Sequence, residues 1–274
     1  MGETKLVARS VEWFLGHFRI NAPERLRALQ TLNEAHYAVD LSSLVSSKEG
    51  PMEISSRSWT LLTRQRLGLP LDSLTMRPCP GCSEMMDVFG DHILCCPHLG
   101  LYARHNEIRN EFGSMCQDMG LQVEIEVSPA DTTQRPADVL IHGLEGQPLA
   151  VDFAVVHTLQ SSINLADVQP GKLARQMEHW KVKESQMSCA RNGWSFTPFV
   201  LETLGSWGGK ARYVLQKLIK QWALHHACSK SEAAATCRAR LALALVRGLS
   251  RQLERGFPLP LVASEPMVEN LFDF

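Results

Sequence analysis

The hydrophobic pattern divides the chain into helical stretches around a short β-rich centre. Between residues 7 and 38 apolar side chains recur at helical spacing, Val11, Phe14, Leu15 and Phe18, then Leu26, Leu29 and Leu32. Pro23 suits the first turn of the second of two helices there. Residues 40–56 are Ser-rich and contain Gly50-Pro51, a loop by turn chemistry. A short helix over Ser58 to Leu67 is expected to stop at Gly68, before Pro70, Pro78 and Pro80 enclose an irregular segment. Helical spacing returns from Leu101 to Gln117, and Gly120 then opens a strand, Leu121 to Val127. Two short apolar runs, Val139-Leu140-Ile141 and Leu149 to Val156, flank a turn with Gly143 and Gly146, which predicts a β-hairpin. A helix from about Lys172 to Ala190, a strand from Phe196 to Glu202 and two long helices over 209–227 and 231–255 complete the pattern. Ser229, with Glu232 three residues later, forms a capping box for the last helix. There is no internal repeat. The class expected is α/β, a small mixed sheet flanked by helices.

One residue breaks the apolar pattern. Asp152 lies inside Leu149-Ala150-Val151-Asp152-Phe153-Ala154-Val155-Val156, a run that reads as a central strand. An unpartnered carboxylate buried there would cost several kcal/mol or stay protonated. Asp138, in Arg135-Pro136-Ala137-Asp138, is placed by the hairpin on the neighbouring strand. Two converging carboxylates point to a divalent metal; the simpler reading pairs Asp152 with a buried arginine or makes it a loop cap.

Composition bounds the picture. The chain is long enough for a substantial core, has no low-complexity tract and no apolar run near the roughly 20 residues of a membrane span. Its first residues, Met1-Gly2-Glu3-Thr4-Lys5, lack the basic-then-apolar pattern of a secretory signal, and Leu6 does not fit the acylation pattern that Gly2 begins. A nuclear or cytoplasmic protein, not a secreted one, is therefore expected, with its eight cysteines as metal ligands or free thiols. The formal net charge is −1, yet residues 172–255 carry fifteen Lys or Arg against five acids. The first 171 residues carry thirteen against twenty-one. A basic back half suggests contact with a polyanion; ordinary solvated helices are the simpler reading.

Cys79-Pro80-Gly81-Cys82, His92 and Cys96 follow the spacing C-x2-C-x9-H-x3-C. Two thiolates on a tight Pro-Gly turn, completed by a histidine and a cysteine from the next helical turn, suit a tetrahedral structural zinc. Cys95, His98 and His105 stand close enough in sequence to compete for the last place. Cys116, Cys189, Cys228 and Cys237 have no partner spacing.

The helix beginning at Lys172 has Leu173, Met177, Trp180 and Met187 at helical spacing, a stripe expected to pack on the sheet. Lys181 and Lys183 flank that stripe on opposite sides, Lys172 and Gln176 sharing the Lys183 side. A lysine over the two carboxylates would stabilise charge developing on a phosphate, and spacing alone does not choose between the two.

In this order the motifs resemble the restriction-like endonuclease (PD-(D/E)XK) region near the C-terminus of a non-LTR retrotransposon protein of the site-specific, early-branching kind. The matching string runs through Cys79, Cys82, Asp91-His92 and Cys96, Arg104-His105-Asn106, Arg135-Pro136-Ala137-Asp138 and Val151-Asp152. It continues with Glu178, Lys181, Cys189, Gly193, Phe196, Pro198-Phe199 and Glu202-Thr203, and so covers roughly residues 60–210. The resemblance implies a restriction-endonuclease-like core preceded by a Cys-Cys-His-Cys zinc knuckle. It implies that Asp138 and Asp152 hold Mg or Mn beside the scissile phosphate and that Lys181 completes the site. The chain departs from the usual pattern at Ala154, where the superfamily has its lysine, and at Glu184-Ser185, where this subgroup has lysine-tyrosine. One residue, Ala137, is inserted in the proline-aspartate pair. His36-Tyr37-Ala38-Val39-Asp40 is not a reverse-transcriptase motif, so a fragment, a decayed copy or a stand-alone derivative is expected.

The expected organisation is an N-terminal helical region (1–75), a zinc knuckle (76–100), a restriction-endonuclease-like core (101–207), a C-terminal helical hairpin (208–258) and a tail (259–274). The expected function is metal-dependent nicking of DNA, or of an RNA–DNA intermediate. Lys210, Arg212, Lys217, Lys220, Arg238, Arg240 and Arg247 would hold the phosphate backbone. Glu107 or Glu111 from the helix before the sheet, Glu124 or Glu126 from the first strand, and Lys183 are auxiliary candidates; Glu124 and Glu126 alternate, so only one faces the site. The other reading is a catalytically inactive, zinc-containing nucleic-acid-binding or scaffold protein of the same descent. A weaker third is an unrelated zinc-binding regulator whose Asp152 is a structural ion pair.

Overall fold

A computed structural model describes residues 23–33, 54–71, 78–127, 136–160 and 162–257. The helix expected before Pro23, most of the Ser-rich loop and the tail lie outside the described residues. The architecture is mixed α/β, a small four-stranded mixed sheet flanked by helices.

The sheet is built from β1 (Gln122–Ile125), β2 (Val139–His142), β3 (Leu149–Val156) and β4 (Ser195–Glu202), in that spatial order. β1, β2 and β3 pair antiparallel, β2 and β3 across the short turn 143–148. β3 and β4 pair parallel from Leu149↔Ser195 to Val156↔Glu202, which requires a crossover. That crossover is a helix, Lys172–Arg191. β1 is shorter than its apolar pattern suggests because Glu126 adopts φ 57°, a left-handed conformation that ends the extended run.

The described helices are α1 (Pro23–Asn33), α2 (Ser56–Arg66), α3 (Asp91–Cys95), α4 (Leu101–Asp118), α5 (Lys172–Arg191), α6 (Gly209–His225) and α7 (Lys230–Gly256). The Ser229–Glu232 capping box of α7 forms in both directions. Period-two alternation sorts the strands into two faces. Val139, Ile141, Val151, Phe153, Phe199 and Leu201 join the main core with side chains of α4, α6 and α7. Phe112 of α4 lies at its centre, 5.0 Å from the Phe153 ring and 5.1 Å from Phe199. The same core runs without a break from Leu61 of α2 through Cys79 and Cys96 to Phe257, so α6 and α7 are part of the body of the fold. α4 and α7 cross so closely at Gly248 that a Cβ there would meet the Arg104 Cα at 2.8 Å.

The opposite face carries Ala137, Leu140 and Ala150 against Cys189 of α5. Here the expected stripe is corrected. α5 turns Ala174, Glu178, Ser185 and Cys189 inward, while Trp180 and Met187 are exposed. Small inward side chains let the helix approach the sheet closely, and the large apolar ones are left outside. Two buried glutamates tie it to its neighbours. Glu202 accepts from the N–H groups of Gly171 (2.9 Å) and Ala174 (3.2 Å) at the start of α5. Glu178 accepts from Lys210 (2.8 Å) and Ala211 (3.0 Å) at the start of α6. Each carboxylate satisfies orphan donors at the positive end of a helix dipole.

Candidate active site and metal knuckle

The hairpin register places Asp138 at the entry of β2, where its N–H donates to the Val151 carbonyl at 3.0 Å. Asp152 follows Val151 on β3, on the face turned to α5. Lys181 reaches in from α5, its Nζ donating to Asp152 Oδ2 at 2.6 Å. Both side chains of that pair are largely buried. On the other side of the sheet, His105 of α4 lies with Nε2 2.9 Å from Asp138 Oδ2, and the same oxygen accepts from the Phe153 N–H at 2.7 Å. The Phe153 ring meets the His105 imidazole edge-on.

The electrostatics of the two acids diverge. Burial and the neighbouring Asp138 charge push the Asp152 carboxyl up to about 6, against the pull of Lys181. Burial acts on Asp138 too, but His105 and the Phe153 N–H outweigh it and hold that carboxyl below its usual range. His105 is in turn held above the ordinary histidine value, Asp138 prevailing over burial. Of the pair, Asp152 is therefore the first to take up a proton as pH falls.

The other expected site residues are placed elsewhere. Lys183 is exposed, on the far flank of α5. Glu107 pairs with Arg251, and Glu111 with Arg240. Glu124 bonds His142 at 2.7 Å across the β1–β2 pair. Glu126 pairs with Arg109, and its N–H donates to the Asp138 carbonyl at 2.8 Å. From the first helix beside the sheet it is therefore a histidine, not an acid, that reaches the carboxylates. Of the expected backbone-binding cations, Lys210, Lys220 and Arg238 are exposed, and Arg212 and Arg247 are half-buried. Lys217 pairs with Glu145 and lies over the Tyr213 ring. Arg240 is engaged by Glu111, Asp118 and Ser114, which leaves it no free face for a phosphate.

The knuckle is a tight turn followed by α3. Cys79 and Glu84 close the turn through a 2.7 Å backbone bond, and the Gly81 N–H points at Cys79 Sγ at 3.3 Å. Asp87 caps α3, accepting from the N–H groups of Phe89, Asp91 and His92. The ligand atoms of Cys79, Cys82, His92 and Cys96 all lie within 4.8 Å of one another. Cys79 and Cys96 are 3.7 Å apart at sulfur, and Cys82 Sγ is 3.3 Å from His92 Nε2. Zn–S arms of about 2.3 Å in a tetrahedron put sulfurs about 3.8 Å apart. Three thiols and an imidazole in this arrangement form a cluster able to bind a metal such as zinc. The fourth place belongs to Cys96: Cys95 turns to Gln160, and His105 is at Asp138.

Sequence reasoning missed a second set of contacts that ties this knuckle to the sheet. Asp91, next to His92, bonds both Arg25 of α1 (Nη2, 2.9 Å) and His157 (Nε2, 2.9 Å), the residue after β3. His157 Nδ1 meets Thr203 Oγ1 at 2.7 Å. Arg104 donates to the Leu94 carbonyl, to Gln252 and to the Val155 carbonyl, while Gln252 donates to the Ile93 carbonyl. No spacing rule predicts these partners, because they are brought together from five separate elements.

Among the described residues no helix is long and apolar enough to cross a membrane. No protein-family model matches the chain, and no curated protein sequence matches it.

Proposed function

We propose that this chain is a metal-dependent endonuclease that nicks DNA, of the restriction-like type associated with non-LTR retrotransposons. The observation that carries the reading is the constellation of Asp138 and Asp152 on neighbouring strands with Lys181 Nζ 2.6 Å from Asp152. Two oxygen donors on a rigid hairpin suit a hard cation such as Mg or Mn, held by Asp138 and Asp152. Such an ion supplies an acidified water and neutralises charge on the phosphate. Lys181 adds a fixed positive charge where the phosphate oxygens gain charge. His105 keeps Asp138 oriented and ionised. Lys210, Lys220 and Arg238 offer exposed cations to the backbone.

Supercoiled plasmid incubated with Mg or Mn tests this. Nicking by the parent and not by Asp152→Ala supports the reading; DNA retention with no metal-dependent nicking sinks it.

One observation favours a second reading, a catalytically inactive zinc-containing nucleic-acid binder or scaffold. Lys181 and His105 already partner both carboxylates, a closed network that serves the fold without a second metal. Retained DNA affinity in a chain that never nicks would favour it.

A further inference from the structure

Large apolar side chains face outward on α5, the helix that sends Lys181 to Asp152. Trp180 is 55 % exposed and Met187 67 %. Helical spacing puts both on the flank between Lys181, which enters the site, and exposed Lys183. Tyr102 is 81 % exposed, one turn before His105 on α4. Each of the two side chains that grip the acids is thus preceded on its own helix by an exposed aromatic, Trp180 one residue before Lys181 and Tyr102 three before His105. Single exposed apolar residues are ordinary on a protein surface. Here it is the placement that matters, together with the charge around it.

α5 exposes Arg175, Lys183 and Arg191 against one exposed acid, Glu184. Neither Lys183 nor Arg191 forms an ion pair among the described residues. An apolar protein partner would have to strip water from these cations without compensating them. A strand of nucleic acid compensates them with phosphates and offers base faces to the rings. Bases in a continuous duplex are stacked on each other, so only unpaired bases have faces to offer.

We propose that Trp180 and Tyr102 stack on unpaired bases on either side of the scissile phosphate. The substrate class is then nucleic acid with unpaired bases at the site, such as a flap, gap or bubble, in preference to continuous duplex. This deepens the nuclease reading, on which the position of the phosphate rests.

The test is binding by the full chain, zinc present and Mg and Mn omitted, so that no cleavage intervenes. Fluorescence anisotropy would follow a labelled oligothymidylate of roughly 20 nucleotides, the matching oligouridylate and a duplex of equal length. The parent is expected to bind the single strands more tightly than the duplex. Trp180→Ala should weaken single-strand binding about tenfold or more, with Trp180→Phe restoring most of it. Tyr102→Ala should act in the same direction, and equal losses on both single strands support stacking that does not depend on the sugar. Single-strand affinities unchanged in both alanine variants would overturn the proposal, as would duplex binding tighter than single-strand binding. A shift from dimer to monomer in Trp180→Ala, with affinity unchanged, would assign the patch to a second copy of the chain and also overturn it. Trp180-dependent single-strand binding in a protein that shows no Asp152-dependent nicking supports the surface while removing the nuclease reading.

Discussion

Asp91 and His157 are joined side chain to side chain at 2.9 Å, which links the residue before His92 of the Cys/His cluster to the residue after the strand that bears Asp152. Arg25 closes on the same carboxylate. Burial works against ionisation of Asp91, but His157 and Arg25 together hold its carboxyl below the usual range. The knuckle is therefore wired to the sheet and to α1 through one charge.

Removing that charge leaves a buried arginine and a buried histidine without their acceptor. Asp91→Ala is expected to lower unfolding free energy by about 1.5–3 kcal/mol, read by urea denaturation. Zinc content measured on the folded variant separates this loss from loss of metal.

The cluster geometry predicts which thiols matter to the metal. Cys79→Ser or Cys96→Ser should lower zinc content by native mass spectrometry and lower the melting temperature. Cys95→Ser should retain the metal, since Cys95 turns to Gln160. Chelation should destabilise the parent and leave Cys79→Ser little changed, because metal affinity of a structural site is folding free energy.

The acids predict a pH dependence with a definite sign. Asp152 holds its proton to about 6 in the fold, against an ordinary 3.8. A carboxyl that binds its proton more tightly when folded makes stability fall as pH rises, here between about 3.8 and about 6. Asp138 is shifted the other way, so its contribution is present above its ordinary value and is lost as pH falls through the lower folded one. Asp152→Asn should flatten the decline between those two pH values, and carboxyl NMR of the metal-free parent should show one titration near 6 that the variant lacks.

The lysines are expected to separate cleanly. Lys181→Ala removes the cation beside a largely buried carboxylate and should cost about 1.5–3 kcal/mol near neutral pH, less in acid where Asp152 protonates. It should also abolish the proposed nicking. Lys183→Ala should leave stability within about 0.5 kcal/mol, since its side chain is exposed. Equal effects of the two in thermal melts would contradict this.

The α4–α7 crossing predicts a backbone-limited site. Gly248→Ala brings a methyl group to 2.8 Å from the Arg104 Cα, and main chain cannot swing aside as a side-chain tip can. A destabilisation of about 1–3 kcal/mol is expected in chemical denaturation.

Local signals in the chain were enough for its elements and for the grouping of three cysteines and a histidine that could bind a metal. Periodicities of 3.6 and 2, glycine stops and the Ser229 cap set α4, α5, α6, α7 and the hairpin to within a few residues, because each is a property of neighbours along the chain. The spacing of Cys79, Cys82, His92 and Cys96 brought those side chains together for the same reason, as residues on one turn and one short helix are nearly local. Which flank of a helix is covered is not local. The stripe on α5 has the right period and the wrong address, since the helix turns small side chains such as Ala174, Ser185 and Cys189 inward, toward a sheet face that includes Ala137 and Ala150. Distances across the fold decided the ion pairs too: Arg240 and Lys217 are spent on acids, and His105 on Asp138. Charge counted along a sequence carries no record of which opposite charge the fold will bring beside it. Sequence alone thus determined what the elements are and which reactive side chains each one carries; tertiary structure decided which side chains meet, because pairing energies depend on separation in space.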